Sequence, residues 1–147
     1  MLQGIETLHF THKMKVRDYE LDRFGVINNA VYQNYLEHTR HLFLETNGVS
    51  LKTLIEHGYS PVITKAEVEY CSSLQSRNDF VVNLELTSLS KIKFIFTQEI
   101  LSLPRNTLII SAKITGTILN SSKQPCFPDS FQKLRSILTT DKKTRTK

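Results

Sequence analysis

No apolar run in the chain approaches the roughly 18 residues that a membrane-spanning helix requires, and the opening MLQGIETLHF lacks the basic and then apolar layout of a secretory signal. A soluble, intracellular protein is the expectation. Cysteine is scarce: Cys71 and Cys126 share no short metal-ligand spacing and are too few to staple a secreted scaffold, so both are read as free thiols. No stretch rich in Gly, Ser or Pro divides the 147 residues, and the sequence has no internal repeat. A single domain over residues 1–140 is expected, followed by a basic polar tail at 141–147. That tail, DKKTRTK, carries +3 of the formal +5 and leaves the body only mildly basic. Without an aromatic-interleaved basic patch or a helix-turn-helix pattern, nucleic acid is not an expected partner. An acidic carrier protein or a phosphorylated ligand would suit such a surface.

What the chain does contain is a change of period. LHFTHKMKVRDY alternates Leu8 and Phe10 and, after a slip, Met14 and Val16 with polar residues, the mark of a half-buried strand. Residues 29–47 then lack Pro and Gly and place Val31, Tyr32, Tyr35, Leu36, Leu42, Phe43 and Leu44 at mainly helical spacings. Asn28 or Asn29 can cap this helix and Gly48 can close it. A shorter helix is expected over Leu51 to His57, opened by Ser50 and stopped by Gly58. From Ser60 the chain reads as four strands rich in Val, Ile, Phe and Thr: SPVITKAEVEYCSSL, DFVVNLELTSLS, KIKFIFTQEILS and NTLIISAKITGTILN. Their short links, QSRND, SK and LPRN, predict that successive strands are antiparallel neighbours. PDSFQKLRSIL predicts a last helix. The class is α+β, with one amphipathic helix covering one broad sheet. Because such a sheet buries only one side of the helix, self-association is expected.

Between the first strand and the long helix lies DRFGVINNAVYQNYLE. On spacing alone, an aspartate in such a corner reads as a turn cap, and either asparagine as a helix cap. Asp18 and Glu20 are nearby carboxylates on the side of Asp22 if the chain stays extended. His38 and His41, with Glu37 and Glu45, sit on one side of the helix, and without a second ligand pair they read as surface residues rather than a metal site. Phe94, Phe96, Ile109 and Ile110 read as core.

The corner resembles that of the hotdog-fold thioesterases of the 4-hydroxybenzoyl-CoA thioesterase class, whose pattern of Asp, two residues, Gly, six residues and Tyr falls here on Asp22, Gly25 and Tyr32. The longer run VRDYELDRFGVINNAVYQNY is most similar to the acyl-acyl-carrier-protein thioesterases of plants, the methylketone synthase 2 group included, and to their cyanobacterial relatives. The resemblance extends from about Phe10 to Leu138 and implies a five-stranded antiparallel sheet wrapped around one long central helix. It also implies hydrolysis of fatty acyl or 3-oxoacyl thioesters without a cofactor, the substrate being carried by acyl carrier protein or CoA. Asp22 would act as general base or nucleophile, and the backbone amide of Asn29 would hold the thioester oxyanion. Gly25 and Val26 would let acyl-pantetheine approach. Asn28 would cap the helix or bind substrate, and Tyr32 would line the channel or pack in the core. Glu37 is a secondary carboxylate.

Three alternatives stand beside this expectation: an aromatic acyl-CoA thioesterase of the 4-hydroxybenzoyl or 1,4-dihydroxy-2-naphthoyl type, a hotdog dehydratase, for which the corner offers no histidine, and a non-catalytic acyl-thioester binding domain. A homodimer or homotetramer is expected. A start at Met1 so near the first strand points to a bacterial, cyanobacterial-type cytoplasmic protein, or to the plastid stroma for a processed plant chain.

Overall fold

The computed structural model describes residues 8–134. The first strand, β1 (Leu8–Lys15), leads through a 3-10 turn (Asp18–Glu20) and the acidic corner to α1 (Asn29–Thr46). A short α2 (Leu51–Glu56) follows, then β2 (Ser60–Tyr70), β3 (Asp79–Leu89), β4 (Phe94–Ser102) and β5 (Thr107–Leu119). Residues 129–134 are helical and begin the expected last helix. The rest of that helix and the basic tail lie outside the described residues.

The strands form one antiparallel sheet in the order β1-β3-β4-β5-β2. With α1 packed across its inner face, this is the hotdog arrangement. One sequence expectation fails here: β2 and β3, though joined by a short link, are not neighbours. β2 pairs with β5 from Ser60↔Leu119 to Tyr70↔Ile110, while β3 takes β1 as its partner. The intervening residues 71–78 instead cross the end of the sheet, where the Leu74 N–H donates to the Tyr32 hydroxyl at 3.0 Å. The slip read into β1 is also absent. His12 keeps the inward alternation opposite Val82, and its ring meets that of His38 on α1 at 5.5 Å.

Period-2 burial on β1, β3 and β4 and 3.6-residue burial on α1 meet in a single core. Phe80, Val82, Leu84, Leu86, Ile100 and Ile110 face Tyr35, Leu36, Phe43 and Leu44. Phe43 packs edge-on against both Phe10 and Phe96, and Tyr35 against Phe80 with ring centroids 4.7 Å apart. Phe94, Phe96, Ile109 and Ile110 are all buried, as expected. One polar bridge crosses this core. Arg40 Nη1 donates to Gln98 Oε1 at 3.0 Å, and Gln98 Nε2 donates to the Leu36 carbonyl at 3.0 Å, so the buried amide is satisfied on both sides.

Local chemistry fixes the helix ends. Asn28 stands before α1 in extended conformation and its Oδ1 accepts from the Ala30 N–H at 2.8 Å. At the far end Gly48 adopts φ 82°, letting the Val49 N–H reach Leu44 O and its own N–H reach Glu45 O, the paired bonds of a left-handed helix stop. Ser50 caps α2 through the Thr53 N–H. Cys71 and Cys126 are free thiols. Among the described residues, no helix is long and apolar enough to cross a membrane.

Candidate active site

The corner is a tight turn set on a two-residue bridge, Leu21↔Ile27. The Asp22 N–H donates to Val26 O at 2.8 Å and Gly25 N–H returns to Asp22 O at 2.9 Å. Side-chain chemistry completes it: Asp22 Oδ1 accepts from the Phe24 N–H at 2.8 Å and the Val26 N–H at 3.2 Å. That is the capping role which spacing alone suggested, and it engages one carboxylate oxygen. Oδ2 accepts no hydrogen bond among the described residues and Asp22 is exposed, so this oxygen is free to meet water or a substrate. Gly25 holds φ 76°, and a Cβ built there would meet nothing within 4 Å. Glycine is needed for the backbone conformation, and the space over the turn is open. Val26, 46% exposed, forms part of the same open surface.

Two residues after the bridge, α1 begins. Of its first amides, Ala30 N–H is taken by the Asn28 side chain and Val31 N–H by Asn28 O at 2.9 Å. The Asn29 N–H has no partner among the described residues. A free first-turn amide at the positive end of an 18-residue helix can stabilise an oxyanion. Asp22, Gly25, Val26, Asn28 and Asn29 are all exposed along the corner and the start of α1. Tyr32 is not. Its ring is 4% exposed, lies edge-on to Tyr35 and Tyr70, and its hydroxyl accepts from Leu74. Asn28 caps the helix.

The rival carboxylates are held elsewhere, because the chain leaves extended geometry at the 3-10 turn. Asp18 accepts from Ser76 Oγ at 2.9 Å and pairs with Arg77 at 3.5 Å. Glu20 Oε1 accepts from the Tyr35 hydroxyl at 2.7 Å and from the Arg17 N–H at 2.8 Å. Burial, followed by this bond to Glu20, pushes the Tyr35 hydroxyl far above its usual range, so it stays a donor. Glu37 is exposed on α1, where its charge acts on Arg40 and His41. Sequence reasoning missed the role of Tyr35, and the spacing of Glu20 and Tyr35 offers no signal for it. It also missed Tyr70, whose ring covers Tyr32 and whose hydroxyl accepts from Gln33 Nε2 at 3.3 Å.

Residues 16–134 match the Thioesterase-like superfamily. The chain is 37% identical over 113 residues to one chloroplastic acyl-acyl carrier protein thioesterase of Arabidopsis thaliana, covering 77% of this chain and 60% of that protein. To a second of the same name and organism it is 38% identical over 123 residues, covering 84% of this chain and 64% of the relative. The chain therefore spans less than two thirds of the length of either plant protein. In fold it is similar to a 1,4-dihydroxy-2-naphthoyl-CoA thioesterase from Synechocystis, with a TM-score of 0.79 at 19% identity, over 84% of this chain and 93% of that one.

Proposed function

The chain belongs to the thioesterase-like superfamily, and from that premise we propose that it hydrolyses acyl thioesters. The observations that carry the proposal are that the corner leaves one Asp22 oxygen free and that the start of α1, just along the chain, leaves the Asn29 amide without a partner among the described residues. In one route Asp22 takes a proton from water as the water attacks the thioester carbonyl. The Asn29 amide then holds the oxyanion, which collapses to expel the thiolate. In the other route Asp22 attacks the carbonyl itself, the thiolate leaves, and water opens the mixed anhydride to regenerate the carboxylate. Neither route draws on a metal or cofactor. Hydrolysis in heavy-oxygen water tests for the second: label found in Asp22 marks an anhydride opened at the aspartyl carbon.

The substrate we assign is a fatty acyl or 3-oxoacyl group on acyl carrier protein. The names of the two plant relatives support the carrier-protein part of it, their identity being about twice that of the naphthoyl-CoA enzyme. We further propose a homodimer or homotetramer. On the inner face of β3, Phe80, Val82, Leu84 and Leu86 are at 0% exposure, packed under α1 rather than lining an open channel. Among the described residues the outer edge of β2 carries no partner strand and leaves Ile63 and Tyr70 half exposed, so a second copy laid there would supply a further wall. Free thiols at both cysteines suit a reducing compartment, the bacterial cytoplasm or the plastid stroma.

Thiol release from a panel of acyl-carrier-protein and CoA thioesters, fatty, 3-oxo and aromatic, tests the assignment. Preference for the carrier-bound fatty or 3-oxo group is the expected result. Preference for the aromatic CoA thioesters would move the substrate class, and tight binding without turnover would leave a binding domain.

A further inference from the structure

The Asp22 turn is held together by its own hydrogen bonds and the Leu21↔Ile27 bridge, while its outer residues stand in solvent, with Phe24 76% and Val26 46% exposed. One edge rests on the 3-10 turn Asp18–Glu20. That turn is tied on one side through Asp18 to Ser76 and Arg77 of the crossing segment. On the other side it is tied through Glu20 to Tyr35, six residues into α1 and 3% exposed. Tyr35 is itself immobilised: its ring lies 4.7 Å from Phe80 on β3 and edge-on to Tyr32 at 6.3 Å. The 2.7 Å bond from its hydroxyl to a carboxylate is of the strong, charge-assisted kind. The same Glu20 oxygen accepts the Arg17 N–H and so fixes where β1 ends.

We propose that Glu20 and Tyr35 are the positioning pair of this site, their hydrogen bond fixing the Asp22 turn against the first turn of α1. The proposal rests on the assignment of Asp22 as the reacting carboxylate. Neither residue is placed at the substrate. Without the tie, the turn would still be held by the Leu21↔Ile27 bridge and by the packing of those two residues on the core, but its 3-10 flank would lose its bond to α1 and the placement of Asp22 relative to the Asn29 amide would loosen. Misplacement of reacting groups by about 1 Å costs up to roughly a hundredfold in rate.

Three substitutions test it. Tyr35→Phe keeps the ring and removes the donor, Glu20→Ala removes the acceptor, and Glu20→Gln keeps an acceptor oxygen while removing the charge. Far-UV circular dichroism verifies folding, and nitrogen-15 relaxation reads the turn independently of turnover. In wild type the order parameters of Phe24, Gly25 and Val26 are expected near the ~0.85 of rigid backbone, falling toward about 0.6 in Tyr35→Phe and Glu20→Ala. With decanoyl-CoA, kcat is expected to fall roughly 10- to 100-fold in those two variants with KM within about twofold. Glu20→Gln should recover most of both losses. Unchanged order parameters in Tyr35→Phe and Glu20→Ala would overturn the proposal, as would a Glu20→Gln no better than Glu20→Ala. A fully active Asp22→Asn would instead overturn the assignment of the corner, and with it any catalytic meaning of the tie.

Discussion

In the proposed mechanism Asn28 sits where stability and catalysis make opposite demands, and Asn28→Asp separates them. Its Oδ1 caps α1 through the Ala30 N–H at 2.8 Å, and an aspartate can keep that bond. A full negative charge at the positive end of the helix adds about 0.3–1 kcal/mol to stability. In a chain of this length that raises the unfolding midpoint by roughly 1–4 °C. The same charge would lie beside the Asn29 amide, where the proposed mechanism places the oxyanion. Two like charges about 6 Å apart repel by about 0.7 kcal/mol in water and about 3 kcal/mol at an effective dielectric of 20, so kcat/KM should fall roughly 3- to 100-fold. Because the site is exposed, the loss should shrink as salt is raised from about 0.01 M to 1 M. Asn28→Ala is the control: it loses the cap, costs about 1 kcal/mol, and introduces no charge. Thermal unfolding and thiol release on the same preparations measure both effects. An Asn28→Asp enzyme more stable than wild type and equally active at low salt would refute the placement of the oxyanion at the start of α1.

Three further outcomes are expected. Gln98→Leu removes the acceptor of the buried Arg40 guanidinium and should cost about 1.5–3 kcal/mol in urea unfolding, a loss that the double variant Arg40→Leu/Gln98→Leu should largely reverse. Gly116→Ala should destabilise by about 1–3 kcal/mol, because a Cβ there would run into the Phe94 ring and the Val62 carbonyl oxygen, backbone that cannot give way. Burial, and secondarily His38, lowers the pKa of His12 below its ordinary 6.5, so the unfolded chain takes up this proton first as pH falls. The stability contributed by neutral His12 is thus complete above about pH 6.5 and is lost below it. His12→Gln should flatten the decline in midpoint between about pH 7 and 5.

The elements carried by strong local signals were legible in the sequence. α1 begins and ends where Asn28 and Gly48 place it, and the four later strands follow the alternation of Val, Ile and Phe. What local signals do not encode is which strands meet. The link between β2 and β3 is short enough for a hairpin, but the sheet places β1 beside β3 and sends residues 71–78 across its end, a choice made by non-local pairing. His12 illustrates a second limit. Its polarity looked like a break in the strand pattern, yet a sheet edge tolerates an imidazole facing inward when another ring covers it. At the corner, spacing pointed to Asp22 as a cap and resemblance pointed to it as a reactive group. The capping engages one carboxylate oxygen and leaves the other free, so it does not conflict with the proposed chemistry. The tie between Glu20 and Tyr35 joins residues 15 apart through a bent turn, which period and motif do not reveal.

The most direct measurement is free-thiol release by wild type beside Asp22→Asn across the thioester panel. The asparagine can keep the turn, since its side-chain oxygen still accepts from Phe24 and Val26, while the reactive carboxylate is gone. Turnover by wild type and a loss of about a hundredfold or more in a folded Asp22→Asn is the expected result. An Asp22→Asn variant that matches an active wild type would contradict the assignment of the corner and leave Glu37 as the carboxylate to test.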